Sequence, residues 1–307
     1  MHRGLQRYSD LLARMLQYAL GSVTNRFSRR PVTGDANVAI SLTSHGRRLR
    51  TVHHAIESIA AGEVRPGRLI LALDSAQDRQ AADGLKTLRR LRRRGLEVIE
   101  APKMGPHAKY FPYVNSIDDH TVPLVTADDD IVYPRDWLRA LLAAHSENPS
   151  IIHCFRAHSF GISGGRPSLY VTWGPVLTKT ASYGTFLTGV SGVIYPPSFL
   201  NHLRKAGDAF REVSPQADDV WLHAQAVNAE IRVSQISDRP RTFPVLLGTQ
   251  ISALWRHNTR GHDRANDAGV LRTPNDDQIA QTYSDALVRR IIDDGVLPPA
   301  GGITSNP

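Results

Sequence analysis

Three consecutive carboxylates offer the clearest chemistry in this chain. Asp128, Asp129 and Asp130 stand between the apolar runs 122–125 and 131–133, which places them at the end of a predicted buried strand. Like charges crowded where a strand leaves a sheet need a cation, and a divalent ion with oxygen ligands neutralises them directly. In extended backbone Asp128 and Asp130 share one side, while Asp129 points away. The pattern predicts a metal-diphosphate site with Asp128 and Asp130 as metal ligands; an acid-rich solvated turn is the alternative.

A second acidic pair, Asp218 and Asp219, stands at the start of a helical pattern that continues through Val220 and Trp221. The helix dipole favours carboxylates in a first turn, so capping alone accounts for one of them. In a chain that already carries a metal-type cluster, the other is placed to act as a general base.

Alternating strand and helix patterns must position these carboxylates. Buried strands are predicted over 37–42, 68–74, 96–99 and 123–127, and helices over 51–61 and 80–94. Ligands of such parallel sheets bind outside the carboxyl ends of the strands. Thr43, Ser44 and Asp74 follow strands as the Asp128 cluster does, so we expect all of them on one rim. The stretch 188–195 is predicted to be a glycine-punctuated strand, whose glycines admit a ligand or form a bulge.

Composition describes a globular protein of enzyme size. The 307 residues are 41% hydrophobic and 21% charged, enough for a full core in one large or two small domains. The single cysteine, Cys154, excludes an internal disulfide framework and a multi-cysteine zinc site, and favours a reducing, cytoplasmic compartment. The net charge of +8 favours anionic partners such as nucleotide phosphates or an acidic lipid surface. Because no RNA-binding motif or zinc knuckle is present, nucleic acid is not an expected partner.

Residues 1–34 predict a basic amphipathic arm. Apolar residues recur at helical spacing from Leu5 to Val23, with six arginines among and after them. The apolar segment is too short to span a bilayer, and no small-residue cleavage site stands out. The arm is predicted either to lie on an anionic inner membrane leaflet, as in a peripheral membrane protein, or to pack on the body or a second subunit.

Four motifs together resemble bacterial family-2-like glycosyltransferases with the GT-A fold. They are residues 40–44 (ISLTS), 105–110 (GPHAKY), 126–134 (TADDDIVYP) and 217–222 (ADDVWL). The resemblance covers roughly residues 37–260. It implies a Rossmann-like α/β fold of GT-A type, with a mixed, mainly parallel sheet flanked by helices, to which the N-terminal amphipathic helix is added.

The resemblance also implies roles for the two acidic clusters. The run Asp128 to Asp130 looks like the family's DXD motif, which implies Mn²⁺ or Mg²⁺ bridging the diphosphate of a nucleotide sugar, with a UDP-sugar as the expected donor. Asp218-Asp219 looks like the family's Glu-Asp motif with Asp218 in place of Glu. Asp219 then matches the general base of inverting members.

Further residues are assigned to the donor and the metal. Those assigned to donor binding are Thr43, Ser44, Asp74, Lys109, Asp128 and Asp129. Lys109 is expected to contact phosphate or hold the Asp cluster in place; a surface lysine is the alternative. His257 is assigned a late metal or phosphate contact, in competition with His262 and with a plain surface role.

The implied function is metal-dependent transfer of a hexose from a nucleotide-diphosphate sugar to an acceptor hydroxyl, with inversion, in the synthesis of cell-surface polysaccharide or glycolipid. The predicted domains are the arm 1–34, a transferase body 35–262 and a C-terminal helix with a flexible tail, 263–307. Within the body, 35–135 is the nucleotide-binding half and 136–262 the acceptor half.

Two other classes of function remain. A nucleotidyltransferase acting on sugar phosphates also uses an Asp-held metal on a similar sheet, but it is expected to carry a Gly-rich, basic phosphate loop after the first strand. Residues 43–48 are a poor version of that loop. The second alternative is a non-catalytic module that binds a membrane surface or a partner.

Overall fold

A seven-stranded sheet runs through the computed structural model, which describes residues 18–246 and 274–295. The strands are β1 (Ala36–Thr43), β2 (Pro66–Leu73), β3 (Leu96–Glu100), β4 (Leu124–Ala127), β5 (Ile152–Cys154), β6 (Ala157–Ser159), β7 (Ile162–Ser163), β8 (Arg166–Pro167), β9 (Thr185–Leu187), β10 (Val193–Tyr195) and β11 (Val233–Gln235). The order in the large sheet is β11-β5-β10-β4-β1-β2-β3, and only β10 runs antiparallel to its neighbours. The predicted mixed, mainly parallel sheet is confirmed.

Helices flank this sheet on both faces. They are α1 (18–27), α2 (Val52–Ala60), α3 (Ala76–Gly84), α4 (Lys86–Arg92), α5 (Phe111–Asn115), α6 (Trp137–Glu147), α7 (Pro197–Ala206), α8 (Phe210–Val213), α9 (Asp218–Asn228), α10 (Pro274–Thr282) and α11 (Asp285–Asp293). Short 3-10 helices cover Gly46–Arg50, Gly105–Lys109 and Tyr170–Thr172. Among the described helices, none combines the length and the apolar character needed to cross a membrane.

The central strands are buried on both faces, which explains their nearly continuous apolar sequences. In β1, Val38, Ile40 and Leu42 pack into the cluster that also holds the apolar faces of α2, α4 and α6. Ala39 faces the opposite cluster, formed with α5, α7 and α9. The two helical layers cover the faces of the sheet, so polar groups at the carboxyl ends of β1 and β4 reach solvent only at the rim.

Two predicted elements are each divided in the structure. The helix expected over 80–94 is α3 followed by α4, because Leu85 between them has an extended backbone and the preceding Gly84 favours helix poorly. Of the strand expected over 188–195, only 193–195 is strand, as β10, while 188–192 is a turn that leads from β9 into β10, with positive φ at Ser191 (77°) and Gly192 (105°). A Cβ atom on Gly192 would lie 2.7 Å from the Trp137 ring, so this turn requires glycine there.

A buried ion pair joins α1, α2 and the end of α4. The Arg94 guanidinium donates to both carboxylate oxygens of Glu57, at 2.6 and 2.9 Å, and the two side chains are only 7% and 2% exposed. The side-chain amide of Asn25 in α1 donates to the same carboxylate at 3.1 Å. This network fixes α1 against the body of the protein.

We expect Glu57→Gln to lower the free energy of unfolding by about 3–5 kcal/mol, because it leaves the Arg94 charge buried without its partner. Guanidinium unfolding at neutral pH measures the change. The matched control is Glu97→Gln, which breaks the Arg68–Glu97 pair, whose side chains are 44% and 39% exposed. That control should cost less than about 1 kcal/mol. Equal losses in the two variants would contradict a structural role for the buried pair.

Candidate active site

A pocket of about 410 Å³ opens beyond the carboxyl ends of β1 and β4. Predicted site residues from four separate parts of the sequence line it: Thr43, Lys109, Asp128, Asp129, Asp130, Asp218 and Asp219. The rim position expected from the sheet topology therefore collects both acidic clusters in one cavity. Ser44 and Asp74, also predicted there, do not line the pocket; Ser44 contacts Asp129, and Asp74 contacts Gly105 in the 3-10 helix that ends at Lys109.

The acidic triplet forms a turn rather than a continuation of the strand. β4 ends at Ala127, the backbone N–H of Asp128 donates to the Tyr133 hydroxyl at 2.6 Å, and the backbone N–H of Leu246 donates to the Asp130 carbonyl at 2.7 Å. Strand alternation consequently does not apply here. Asp129 lines the same pocket as its two neighbours instead of pointing away from it.

Arg48 neutralises one side of the triplet. Its guanidinium lies 2.8 Å from an Asp129 carboxylate oxygen and also forms an ion pair with Asp130. The Ser44 hydroxyl donates to the other Asp129 oxygen at 2.5 Å. Burial raises the pKa of Asp129 against these contacts, and it raises the pKa of Asp130 to about 6, with the neighbouring carboxylates adding to the shift against Arg48.

Lys109 neutralises the other side and links the two acidic clusters. Its ammonium donates to Asp128 Oδ1 at 2.8 Å and lies 3.9 Å from Asp218 Oδ2. Burial opposes the charge, yet Asp128, Asp218 and Asp219 together hold the pKa of Lys109 well above 10.5. The predicted lysine is thus a partly buried cation, with its side chain 14% exposed, and carboxylates of both acidic clusters share it.

The 3-10 helix Gly105–Lys109 is anchored at its first residue and at its middle residue, which fixes the position of Lys109. At its start, the backbone N–H of Gly105 donates to Asp74 Oδ2 at 2.9 Å. His107 lies 2.7 Å from the Ser214 carbonyl through Nε2 and 2.8 Å from the Tyr110 hydroxyl through Nδ1. Because a carbonyl only accepts, Nε2 carries the proton and Nδ1 accepts from Tyr110. Asp74 therefore supports the turn that carries Lys109, and it does not line the pocket.

Asp219 lies in the first turn of α9 and is held by the turn between β9 and β10. The backbone N–H of Gly189 donates to Asp219 Oδ1 at 2.8 Å. A Cβ atom on Gly189 would lie 3.0 Å from that oxygen and 3.3 Å from Lys109 Nζ, so glycine permits the close approach. Burial, followed by the charge of Asp218, raises the pKa of Asp219 to about 8 against Lys109 and the Gly189 hydrogen bond. A carboxyl with such a pKa accepts a proton readily near neutral pH.

Helix α10, from the C-terminal part of the chain, contributes to the pocket wall. Asn275 in its first turn lines the cavity. The backbone N–H of Gln216 donates to the Gln278 side chain at 3.0 Å, and that of Tyr170 donates to Asp276 Oδ1 at 2.7 Å. These bonds join α10 to the loop before α9 and to the 3-10 helix Tyr170–Thr172, although the sequence resemblance stops before this helix.

No family model and no curated protein matches the chain. Several solved structures are similar to it. Residues 1–349 of TarS from S. aureus are 14% identical with a TM-score of 0.45, over 66% of this chain and 58% of that one. The mannosyltransferase PcManGT from Pyrobaculum calidifontis, in complex with GDP-Man and Mn²⁺, is 12% identical with a TM-score of 0.47, over 81% of this chain and 68% of that one. GalNAc-T7 with UDP, GalNAc and Mn²⁺ is 13% identical with a TM-score of 0.48, over 69% of this chain and 44% of that one. The chain spans a little over half the length of the TarS structure.

Several pocket residues escaped the sequence analysis: Arg48, Arg156, Tyr170, Gln216 and Asn275. Arg48 stands in the run 43–48, directly after the first strand. The basic residues of that run are a feature of the sequence that indicates a cation at this end of the sheet. Arg156, Tyr170 and Asn275 lie in loops or helix starts whose local pattern carries no such signal.

A divalent ion fits this site only together with a ligand that brings further oxygens. Within residues 18–246 and 274–295, no three His, Cys, Asp or Glu side chains are grouped so that they could hold a metal. The predicted ligand His257 lies outside the described residues, as does His262. The chemistry of the triplet still suits a hard cation, since hard oxygens are crowded there and the pKa of Asp130 is raised. Magnesium is often held by one or two carboxylates plus substrate phosphates, and this site matches that pattern.

The raised pKa of Asp219 predicts a loss of stability as pH rises. The folded state keeps a proton that the unfolded chain, with an ordinary pKa near 3.9, has already released. This stabilisation is fully present below about pH 4 and is lost as pH rises to about 8.

We therefore expect Asp219→Asn, which resembles the protonated carboxyl, to melt at least about 2 °C above the native protein at pH 8. The two proteins should melt together near pH 4. Asp208→Asn is the control, because the Asp208 side chain is 62% exposed. A difference in melting temperature that is the same at both pH values would contradict the assigned shift.

Proposed function

We propose that this protein is a GT-A-type glycosyltransferase that moves a hexose from a nucleotide-diphosphate sugar to an acceptor hydroxyl. The observation that carries the proposal is the arrangement of Asp219 and the Asp128–Asp130 triplet on one pocket, with Lys109 between them. Sugar transfer needs charge neutralisation at a leaving diphosphate and a base near the acceptor hydroxyl, and this pocket offers groups for both.

The donor diphosphate is proposed to bind beside the acidic triplet. Asp128 and Asp130 would hold Mn²⁺ or Mg²⁺ there together with diphosphate oxygens, and the bound ion would supply Lewis-acid stabilisation of the leaving group. Before the donor binds, Arg48 is paired with Asp129 and Asp130. Arg156 lines the same pocket, so both guanidinium groups lie where they would bind phosphate oxygens of the donor. Thr43 lines the pocket at the end of β1, and its hydroxyl donates to the Ala72 carbonyl at 2.8 Å, which leaves the oxygen to accept a hydrogen bond from the donor.

Asp219 is proposed as the general base that takes the proton of the acceptor hydroxyl. The Gly189 N–H holds one oxygen, which leaves Oδ2 for the acceptor. Lys109 stabilises the charged form of the carboxylate. Direct attack of the deprotonated hydroxyl on the anomeric carbon gives inversion, which is why we propose an inverting reaction.

The remaining pocket wall suits a carbohydrate acceptor. Tyr170, Gln216 and Asn275 present one aromatic and two amide side chains next to Asp219. Ligand sites commonly combine an aromatic surface with a few polar groups of this kind. We propose a cell-surface polysaccharide or a glycolipid as the acceptor class, with Asp218 positioned to orient its hydroxyl groups.

Nucleotide-sugar binding tests the donor half. We expect UDP-, GDP- or dTDP-sugars to raise the melting temperature only with Mn²⁺ or Mg²⁺ present, because ligand binding to the folded state stabilises it. Metal alone should have little effect, since the described residues supply too few ligands. Asp130→Asn should weaken metal-dependent nucleotide binding at least about tenfold in calorimetry, a loss expected even for groups that only support a metal ligand.

Asp208→Asn serves as the surface control in this experiment. Unchanged nucleotide affinity in Asp130→Asn would contradict the assigned metal contact. Stabilisation by a nucleoside triphosphate plus sugar phosphate, without any response to nucleotide sugars, would instead favour a nucleotidyltransferase.

Turnover tests the base. Asp219→Asn should lower the rate of sugar transfer by roughly two to four orders of magnitude while donor affinity barely changes, because proton transfer is realised only in the transition state. kcat/KM of the native enzyme should rise with pH towards about 8, since the base must be deprotonated. The neighbouring substitution Asp218→Asn is the matched comparison and should cost less.

Activity retained in Asp219→Asn but lost in Asp218→Asn would transfer the role to Asp218. Full activity in both variants would remove this mechanism. Hydrolysis of the sugar nucleotide in the absence of acceptor gives a second readout that does not depend on identifying the acceptor.

A further inference from the structure

Helix α1 packs on the body with its polar side inward. The Tyr18 ring packs at a tilt of 32° on the His54 ring, with centroids 3.9 Å apart, and Asn25 is 1% exposed and donates to Glu57. A Cβ atom on Gly21 would lie 2.5 Å from His54 Nδ1, so the helix approaches α2 closely at that glycine. The contacts that hold α1 are therefore aromatic and hydrogen-bonding contacts, and they use one side of the helix.

The opposite side of α1 is an exposed apolar stripe. Leu20, Val23 and Phe27 are 54%, 54% and 70% exposed. With about 100° per residue, these three positions share one side, roughly opposite Tyr18 and Asn25. An amphipathic helix whose only role was packing would bury this stripe. Its orientation here leaves three large apolar side chains side by side in solvent.

Five exposed arginines lie on α1, on α4 or in the segments directly after these two helices. Arg26, Arg29 and Arg30 belong to α1 and the segment after it, and Arg89 and Arg93 belong to α4 and its end. The two helices are held together because Asn25 donates to the Thr87 carbonyl at 3.2 Å and Arg94 donates to the Arg30 carbonyl at 2.6 Å. Neither 18–27 nor Lys86–Arg92 contains an acidic residue.

We propose that this surface, formed by Leu20, Val23, Phe27 and the five arginines, binds an anionic membrane surface. Apolar side chains enter the boundary between headgroups and acyl chains, while arginines around them are attracted to acidic headgroups. Both requirements meet on one side of the protein, and the preceding residues 5–16 carry the same apolar spacing in the sequence. The inference goes beyond the proposed transfer reaction and does not depend on it.

The charge pattern favours a membrane over other occupants. In a symmetric dimer through this surface, each copy would present the same arginines to the other without any carboxylate on α1 or α4 to match them. A nucleic acid would match the arginines but would leave the apolar stripe without a partner. An anionic bilayer matches both parts.

Vesicle binding by the full chain tests the proposal. The protein should sediment with phosphatidylcholine vesicles that contain phosphatidylglycerol, and only weakly with pure phosphatidylcholine. The double variant Val23→Asp with Phe27→Asp should lose at least about tenfold in partitioning, because it places charge in the apolar stripe. The matched control is Leu177→Asp with Ile292→Asp, whose native side chains are 41% and 43% exposed elsewhere. It should bind like the native protein.

The arginines are tested separately. Arg89→Gln and Arg93→Gln should each reduce partitioning onto anionic vesicles about fivefold at low salt, and neither should change binding to neutral vesicles. Melting temperature with a nucleotide sugar and metal verifies folding and donor binding in every variant, so a failure here is distinct from a failure of the proposed activity. Absence of vesicle binding, equal binding by the Val23/Phe27 variant, or a native dimer that this variant dissociates would each overturn the proposal.

Discussion

The ion pairs of Lys109 are the contacts on which the site depends. A cation that is largely withdrawn from water is costly unless it is well paired, and here carboxylates from the end of β4 and the start of α9 pair with it. The same positive charge offsets the mutual repulsion of Asp128, Asp218 and Asp219. Lys109 itself is fixed by a short 3-10 helix that is anchored at Asp74 and at the Ser214 carbonyl. Each wall of the pocket is therefore positioned relative to one ammonium group.

The sheet topology brings these groups together. β1 and β4 end at the same rim, which places Thr43 beside the acidic triplet. The antiparallel strand β10 is entered through the turn 188–192, and that turn carries the Gly189 N–H to Asp219. Helix α10 then closes the wall through Gln278 and Asp276. A pocket made in this way combines a rigid strand edge, which suits a diphosphate, with loops and helix starts, which suit a variable acceptor.

Functional groups in this pocket are held at some cost to stability. Burial raises the pKa of both Asp130 and Asp219, because the charged form of each carboxylate is less stable in this pocket than in water. Perturbed carboxyls gathered in one cavity are typical of catalytic and metal sites.

The buried pair Arg94–Glu57 differs from these carboxyls, because its charges are fully matched and it attaches α1 to the body. Away from the pocket, α1 presents its apolar side to solvent, which suggests that the folded body carries a surface for an external partner.

Local pattern was sufficient to predict β1 to β4, α2, the helical region of α3 and α4, and the positions of both acidic clusters. Buried strands appear as continuous apolar runs, and polar residues directly after them must emerge at the rim, so Thr43 and the Asp128 cluster were identifiable from the sequence. Tertiary structure decided the partners. Arg48, Arg156 and Asn275 come from distant segments, and only packing brings them to the carboxylates. Strand alternation failed at Asp129 because β4 ends one residue before the triplet. The direction of α1 was likewise open in the sequence, since a helical stripe shows that one side is apolar but not which side faces the body. That side was decided by specific contacts of Tyr18, Gly21 and Asn25 with α2.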